Sequence, residues 1–120
     1  MSCRNRMIHE MWTDIQDIIG PARLWPYEIR RLFWTHGLCH WERILVATFC
    51  YVNGLNPEIL IEWAELLGLC NDSSGVRHFR ALCQLMEAGR NYRLYAYNVS
   101  SNRYEYLDGS VRRYTHRSLR

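Results

Sequence analysis

The segment from His40 to Val52 constrains this chain more than any other. Its sequence, HWERILVATFCYV, is apolar on almost every side after the first turn. A helix of this kind needs neighbours all round, because none of its faces is stable in water. The chain has 120 residues, of which 48% are hydrophobic, so one compact domain with a core can form. We therefore predict that residues 40–52 are the central helix of a single small domain.

Apolar residues at helical spacing predict further helices around this one. Asn56 followed by Pro57 is an N-cap with proline in the first helical turn, and Gly68 closes the same helix. Ser73 or Ser74 is available to cap another helix after a polar turn. The four additional helices are predicted at Met7–Ile19, Pro26 to about Trp34, Pro57–Leu67 and Val76 to Ala88, the last ending at Gly89.

After Gly89 the period changes to the alternation of strands. Tyr92–Tyr97 and Arg103–Leu107 are rich in tyrosine and arginine and are separated by a polar turn, and Val111–Tyr114 is a candidate third strand. The fold class we predict is α+β, mostly helical with a C-terminal antiparallel β-hairpin. We expect residues 1–36 to be a helical extension on the same core, 37–115 the main domain and 116–120 a basic tail.

Charge is distributed unevenly along the chain. All 15 basic residues are arginine, and there is no lysine. Residues 1–75 contain six Arg and nine Asp or Glu, whereas residues 76–120 contain nine Arg and three acids. This excess predicts an anionic partner for the C-terminal third. Two explanations for the missing lysine stay open: a G+C-rich gene, and selection against amines that accept ubiquitin.

The order of the predicted elements resembles a winged helix-turn-helix. Trp63-Ala-Glu-Leu-Leu-Gly-Leu69 looks like the end of that family's second helix, and Val76-Arg-His-Phe-Arg-Ala-Leu82 followed by Glu87-Ala-Gly89 looks like its recognition helix. The likeness covers about residues 41–109 and implies a DNA-binding, winged-helix-like domain. It implies that Arg77, His78, Arg80 and Gln84 approach the major groove and that Arg93 and Arg103 contact phosphates through the wing. We predict that Arg112 and Arg113, which follow the wing, contact phosphates as well.

A second resemblance involves Trp41-Glu-Arg-Ile-Leu-Val-Ala-Thr-Phe49, which looks like the first homology motif of Bcl-2-type apoptosis regulators. Glu42 stands where that family has glycine. The tyrosine-rich strands at the end of the chain do not belong in an all-helical bundle, so the winged-helix interpretation is preferred.

Two functional hypotheses follow. The first is a non-enzymatic regulator of transcription that binds duplex DNA. Its DNA-binding residues would be Arg77, His78, Arg80, Gln84, Arg93, Arg103, Arg112 and Arg113. The second is a small intracellular accessory or adaptor protein, of the kind that viruses encode, that binds a host protein such as a ubiquitin-ligase component or an apoptosis or immune factor. The glutamate face formed by Glu58, Glu62 and Glu65 distinguishes them. On a DNA-binding protein this glutamate face should point away from the basic face that Arg77 and Arg80 form on the next helix. On an adaptor the glutamate face can itself be the docking surface.

The sequence lacks the motifs that indicate an enzyme, a metal site or a membrane protein. Paired Cys-x2-4-Cys spacing, nucleophile elbows and glycine-rich phosphate loops do not occur, so we predict no enzyme activity, no metal and no cofactor. No apolar run approaches the length of a membrane span, and Glu10 and Asp14 interrupt the N-terminal region where a secretory signal would lie. We therefore expect an intracellular protein, in cytoplasm or nucleus, without a membrane partner. The N-terminal helices are a candidate homodimer contact.

Overall fold

The computed structural model describes residues 3–70, 73–87 and 93–108, which form α-helices followed by an antiparallel hairpin. This confirms the predicted mostly helical α+β class with its C-terminal β-hairpin. The winged-helix resemblance stays a prediction. The elements are α1 (Cys3–Ile19), a short 3-10 helix (Ala22–Leu24), α2 (Tyr27–Leu32), α3 (His40–Val52), α4 (Pro57–Leu67), α5 (Ser73–Glu87), β1 (Arg93–Asn98) and β2 (Arg103–Asp108).

Helix α3 is central, as its composition predicts. It packs against α2, α4, α5 and β1. Val46 and Phe49 have no exposed surface, and Ala47 and Cys50 are 2% exposed. Thr48 is buried among them because its hydroxyl donates to the Ile44 carbonyl, 2.7 Å away, which satisfies this polar group. The surfaces of four neighbouring elements therefore depend on one helix for burial.

Aromatic rings join the N-terminal helices to this core. Trp12 of α1 stacks on Trp63 of α4 with ring centroids 5.3 Å apart, and it meets Trp25 edge-on at the same distance. Trp63 is completely buried, and its indole N–H donates to the Phe33 carbonyl at 2.8 Å. Such rings bury large areas and stay in place when their polar atom is bonded. Residues of α1 and α2 thus share one core with α3, α4 and α5.

The ends of α4 follow the local signals in the sequence. The Asn56 side chain accepts a hydrogen bond from the Glu58 amide at 2.7 Å, and Pro57 occupies the first turn. Gly68 ends the helix in the left-handed conformation, with φ at 71°. A Cβ at Gly68 would lie 2.6 Å from Nδ1 of His36, so glycine is required both by the backbone conformation and by the neighbouring ring.

Asn53, just after α3, attaches the hairpin to the helical body. Its Nδ2 donates to the carbonyls of Phe49 at 2.8 Å and of Tyr97 at 2.9 Å, and its Oδ1 accepts from the Val99 amide at 2.8 Å. Ala96 of β1, which is 6% exposed, packs in the same region on α3. The Asn53 side chain therefore caps the C-terminus of α3 and positions β1 and the turn that follows it.

Several boundaries differ from the prediction. Helix α1 begins at Cys3 rather than Met7, because Arg4 reaches the Leu66 carbonyl at 2.8 Å and stabilises the additional turn. Helix α2 ends at Leu32, since Phe33 turns into the core with no exposed surface. Ser73 lies within α5 instead of preceding it. The predicted strand at 111–114, the helix end at Ala88 and Gly89 and the tail at 116–120 lie outside the described residues.

Replacing Asn53 with Ala tests its attachment of the hairpin. The change removes three hydrogen bonds and leaves the Val99 amide and the Tyr97 carbonyl without these partners. We expect the free energy of unfolding to fall by about 2 kcal/mol, measured by urea denaturation, with faster amide exchange at Val99. Asn53→Asp keeps the acceptor for Val99 but sets a carboxylate oxygen against the Phe49 and Tyr97 carbonyls, so it should destabilise the fold as well. Wild-type stability in Asn53→Ala would contradict this role.

Candidate interaction surface on α4 and α5

Helix α5 presents opposite faces to the core and to solvent. Phe79 is completely buried and Cys83 is 6% exposed, whereas Arg77, Ala81 and Gln84 are exposed. Positions three and four apart share a face of a helix, so this is the pattern that the sequence predicts. Val76 and Leu82, which continue the apolar spacing, are both half-buried, and the side chain of Met86 lies outside the description.

Arg80, on the same side of α5 as Arg77 and Gln84, reaches α4 with its side chain. Its Nη1 lies 2.7 Å from Oε2 of Glu58. The hydrogen bond and charge of Glu58 raise the pKa of the Arg80 guanidinium above its usual value, and the charge of Glu65 adds to the effect. Both partners of the ion pair remain substantially exposed. The glutamate face of α4 and the basic face of α5 are therefore neighbours on one surface and do not point in opposite directions.

His78 faces α3 rather than solvent. It is half-buried, with its Nδ1 3.1 Å from Nη1 of Arg43 and its ring centroid 4.8 Å from that of His40. Since Arg43 can only donate, Nδ1 accepts and the imidazole is neutral. Burial lowers the pKa of His78, and electrostatic interaction with His40 and Arg43 lowers it further. His78 thus helps to hold α5 on α3.

Sequence reasoning missed Arg43, although an arginine directly before the apolar run of α3 is a signal. Its Nε is buried without a hydrogen-bond partner among the described residues. The contact of its Nη1 with His78 is therefore important for satisfying this guanidinium.

The predicted wing residues are less completely described. Arg103 is exposed at the start of β2, with Nε 3.5 Å from Oε2 of Glu105. Arg93 begins β1, but its side chain lies outside the description, as do Arg112 and Arg113. Among the eight predicted site residues, the structure brings Arg77, Arg80 and Gln84 onto one helix surface and turns His78 inward.

Large aromatic side chains are exposed elsewhere. Trp41 on α3 and Tyr27 on α2 are each 64% exposed. Tyr95 and Tyr104 of the hairpin stack on each other with centroids 5.1 Å apart. The sequence contains five tryptophans and eight tyrosines, and only the fold shows which of them are exposed.

Within residues 3–70, 73–87 and 93–108, no group of three or more His, Cys, Asp or Glu side chains is arranged to hold a metal ion. Over the same part of the chain, no helix has the length and apolar character that crossing a membrane requires.

Comparison with known proteins finds no matching family model, no matching curated protein and no matching solved structure. The function of this chain therefore has to be inferred from its own residues.

The contact of His78 with Arg43 and His40 predicts a pH effect on stability. Because the pKa of His78 is lower in the folded state than its ordinary value of 6.5, the unfolded chain binds more protons as the pH falls below that value. We expect the free energy of unfolding to decrease from pH 7 to about pH 5, and to decrease less in His78→Gln. Urea denaturation at each pH measures both. His9→Gln, at an exposed position on α1, is the control. Identical pH profiles for wild type and His78→Gln would exclude this contribution.

Proposed function

We propose that this protein is a non-enzymatic interaction module that docks a protein partner. The docking site is the α4–α5 surface, which we define as Glu58, Glu62 and Glu65 of α4 with Arg77, Arg80 and Gln84 of α5. The observation that carries the proposal is the ion pair between Glu58 and Arg80.

This ion pair weighs against phosphate as the ligand of the surface. A protein face that binds duplex DNA neutralises phosphates with free cations. Here one of the two arginines is engaged by a carboxylate, and Glu62 and Glu65 remain exposed beside it. A phosphate approaching Arg80 would meet the negative charges of Glu58 and Glu65. The surface instead has both signs of charge, which is the arrangement that gives protein interfaces their specificity and orientation.

Exposed aromatic residues support the same function. Trp41 lies next to His40, whose ring contacts His78 of α5. With 64% of its surface exposed, this tryptophan is available to a partner at the end of α3 adjacent to α5. Tryptophan and arginine are enriched among the residues that contribute most to binding energy. Mixed charge and exposed tryptophan are both typical of protein interfaces, which combine a polar rim with apolar anchors.

Duplex DNA remains the second candidate ligand because of Arg77 and Gln84. Both are exposed on the same face of α5, and Arg77 forms no ion pair with the acids that the structure describes. Arginine and glutamine side chains can read guanine and adenine in the major groove. This candidate requires the two residues to act without Arg80 and His78.

Charge reversal tests the docking proposal. We expect the Glu62→Arg, Glu65→Arg double variant to lose a protein that wild type captures from cell extract, because both residues are exposed and their reversal opposes the partner's charges. The captured protein is then purified and its affinity for both forms measured by calorimetry. We expect the affinity to fall at least about tenfold, because reversed charges repel the partner's charges and such like-charge contacts cost several kcal/mol.

The matched control is the Glu10→Arg, Asp17→Arg variant, which changes exposed acids on α1 by the same total charge. It should retain the captured protein and its affinity. If the two double variants lose binding equally, net charge and not the α4–α5 surface controls the interaction, and the proposal is wrong.

A further inference from the structure

Three side chains that can carry positive charge meet where α5 packs on the beginning of α3: His40, Arg43 and His78, which we call the basic cluster. Nη1 of Arg43 lies 3.1 Å from Nδ1 of His78, and the rings of His40 and His78 have centroids 4.8 Å apart. Arg43 and His78 are half-buried, whereas His40 is exposed. The contact between Arg43 and His78 is therefore partly shielded from the salt and water that screen surface charges.

The hydrogen bond between Arg43 and His78 requires a neutral imidazole. A guanidinium is always protonated and has donors but no acceptor, so Nδ1 of His78 has to accept. A proton on Nδ1 would place one donor against another and would bring two positive charges into contact. Protonation of His78 thus changes this contact between α5 and α3 from attraction to repulsion.

The charged groups of α3 near His78 do not offset such a proton. Among the described residues, His40 and Arg43 are the groups that interact with His78 electrostatically. Glu42 lies in the same turn of α3, but its Oε1 accepts from the Cys39 amide at 2.9 Å. A protonated His78 would therefore face two basic side chains on α3, without a carboxylate from the described part of that helix to compensate it.

The acids of α4 lie on the other flank of α5. Oε2 of Glu58 is 2.7 Å from Nη1 of Arg80, and Glu65 interacts with the same guanidinium. Successive residues of an α-helix are about 100° apart, so positions 78 and 80 are about 200° apart around α5. These glutamates thus offset the charge of Arg80 and not that of His78.

Helix α5 can separate from the body without the N-terminal helices. It packs on α3 and α4, while α1 packs on α4 and α2 packs on α3. The rings that join α1 and α2 to the core, which include Trp12, Trp25 and Trp63, do not belong to α5. On its α4 side, α5 is held by an exposed ion pair, which contributes little to stability. Opening of a single element of this kind is a common fluctuation of native proteins.

We propose that the basic cluster makes the packing of α5 on α3 sensitive to pH, so that α5 is closed on α3 at neutral pH and opens more often as the pH falls toward 5. Burial, His40 and Arg43 lower the pKa of His78 in the closed form from its ordinary value of 6.5, so the open form binds the additional proton. Opening therefore becomes more favourable below about pH 6.5, and it stops changing once His78 is protonated in both forms.

This opening regulates the α4–α5 surface, a consequence that rests on the docking function proposed above. When α5 opens, Arg77, Arg80 and Gln84 move away from the glutamates of α4. An open molecule lacks the mixed-charge surface, so a lower pH reduces the fraction of molecules that can bind the partner.

Amide hydrogen exchange, followed by NMR at about pH 7.5 and about pH 5, measures the opening of each helix without any partner. Protection factors correct for the pH dependence of intrinsic exchange. They should fall about tenfold at Phe79 and Cys83 of α5 in wild type, because a hydrogen bond to a charged group is worth ~1.5–3 kcal/mol. The fall should be absent in His78→Gln, whose amide oxygen accepts from Arg43 at every pH. His9→Gln, at an exposed position on α1, is the matched control and should behave as wild type does.

Low concentrations of urea distinguish the opening of α5 from unfolding of the whole domain. Exchange at Phe79 should depend weakly on urea, because opening one helix exposes little surface, whereas exchange at Ile15, which is completely buried in α1, should show the steeper dependence of global unfolding. The nitrogen chemical shifts of the His78 ring at pH 7.5 should place the proton on Nε2 and leave Nδ1 unprotonated.

The proposal is overturned if wild-type α5 has the same protection factors at both pH values, or if His78→Gln shows the same fall as wild type. It is also overturned if Phe79 and Ile15 share one protection factor and one urea dependence, because α5 then opens only with the whole domain. Since none of these measurements uses a docking partner, they decide the pH-sensitive opening separately from the docking proposal.

Discussion

Burial of α3 is the constraint on which the rest of this structure depends. Helices α2, α4 and α5 and strand β1 all pack on it, and Val46 and Phe49 have no exposed surface. Polar side chains near its two ends link it to other elements: Arg43 reaches His78 of α5, and Asn53 reaches Tyr97 and Val99 of the hairpin. The helix that supplies the core thus also orients α5, which carries half of the α4–α5 surface, and the hairpin.

The α4–α5 surface has both signs of charge because of how α4 and α5 meet. Glu58 and Arg80 neutralise each other at the surface, and such an exposed pair adds little to stability. Its consequence is for recognition, since it places carboxylates among the arginines of α5 and gives that surface both signs of charge. The sequence that follows the hairpin contains arginine without acids, so the excess of positive charge belongs to the end of the chain.

Local signals account for what could be predicted from the sequence. Helix α4 has its predicted bounds because Asn56, Pro57 and Gly68 act on their immediate neighbours. Helix α3 was predictable because apolar residues on every side leave no alternative to a central position. The exposed positions of Arg77 and Gln84 follow from helical period alone.

Side-chain contacts between two packed elements had no local signal in the sequence. The contact of Arg80 with Glu58 joins residues 22 apart, and that of His78 with Arg43 joins residues 35 apart. Asn53 is recognisable in the sequence as a helix end, but its bonds to the hairpin follow only from the way that β1 packs on α3.

The central claim is that the arginines of α5 do not form a phosphate-binding surface. The most direct test compares duplex DNA binding by wild type and by Arg77→Ala, Arg80→Ala across a salt series. The account predicts the same binding constant and the same salt slope for both proteins, because any duplex binding would come from arginines elsewhere in the chain. A large loss of affinity together with a shallower slope in the double variant would contradict it, and would identify α5 as a DNA-reading helix.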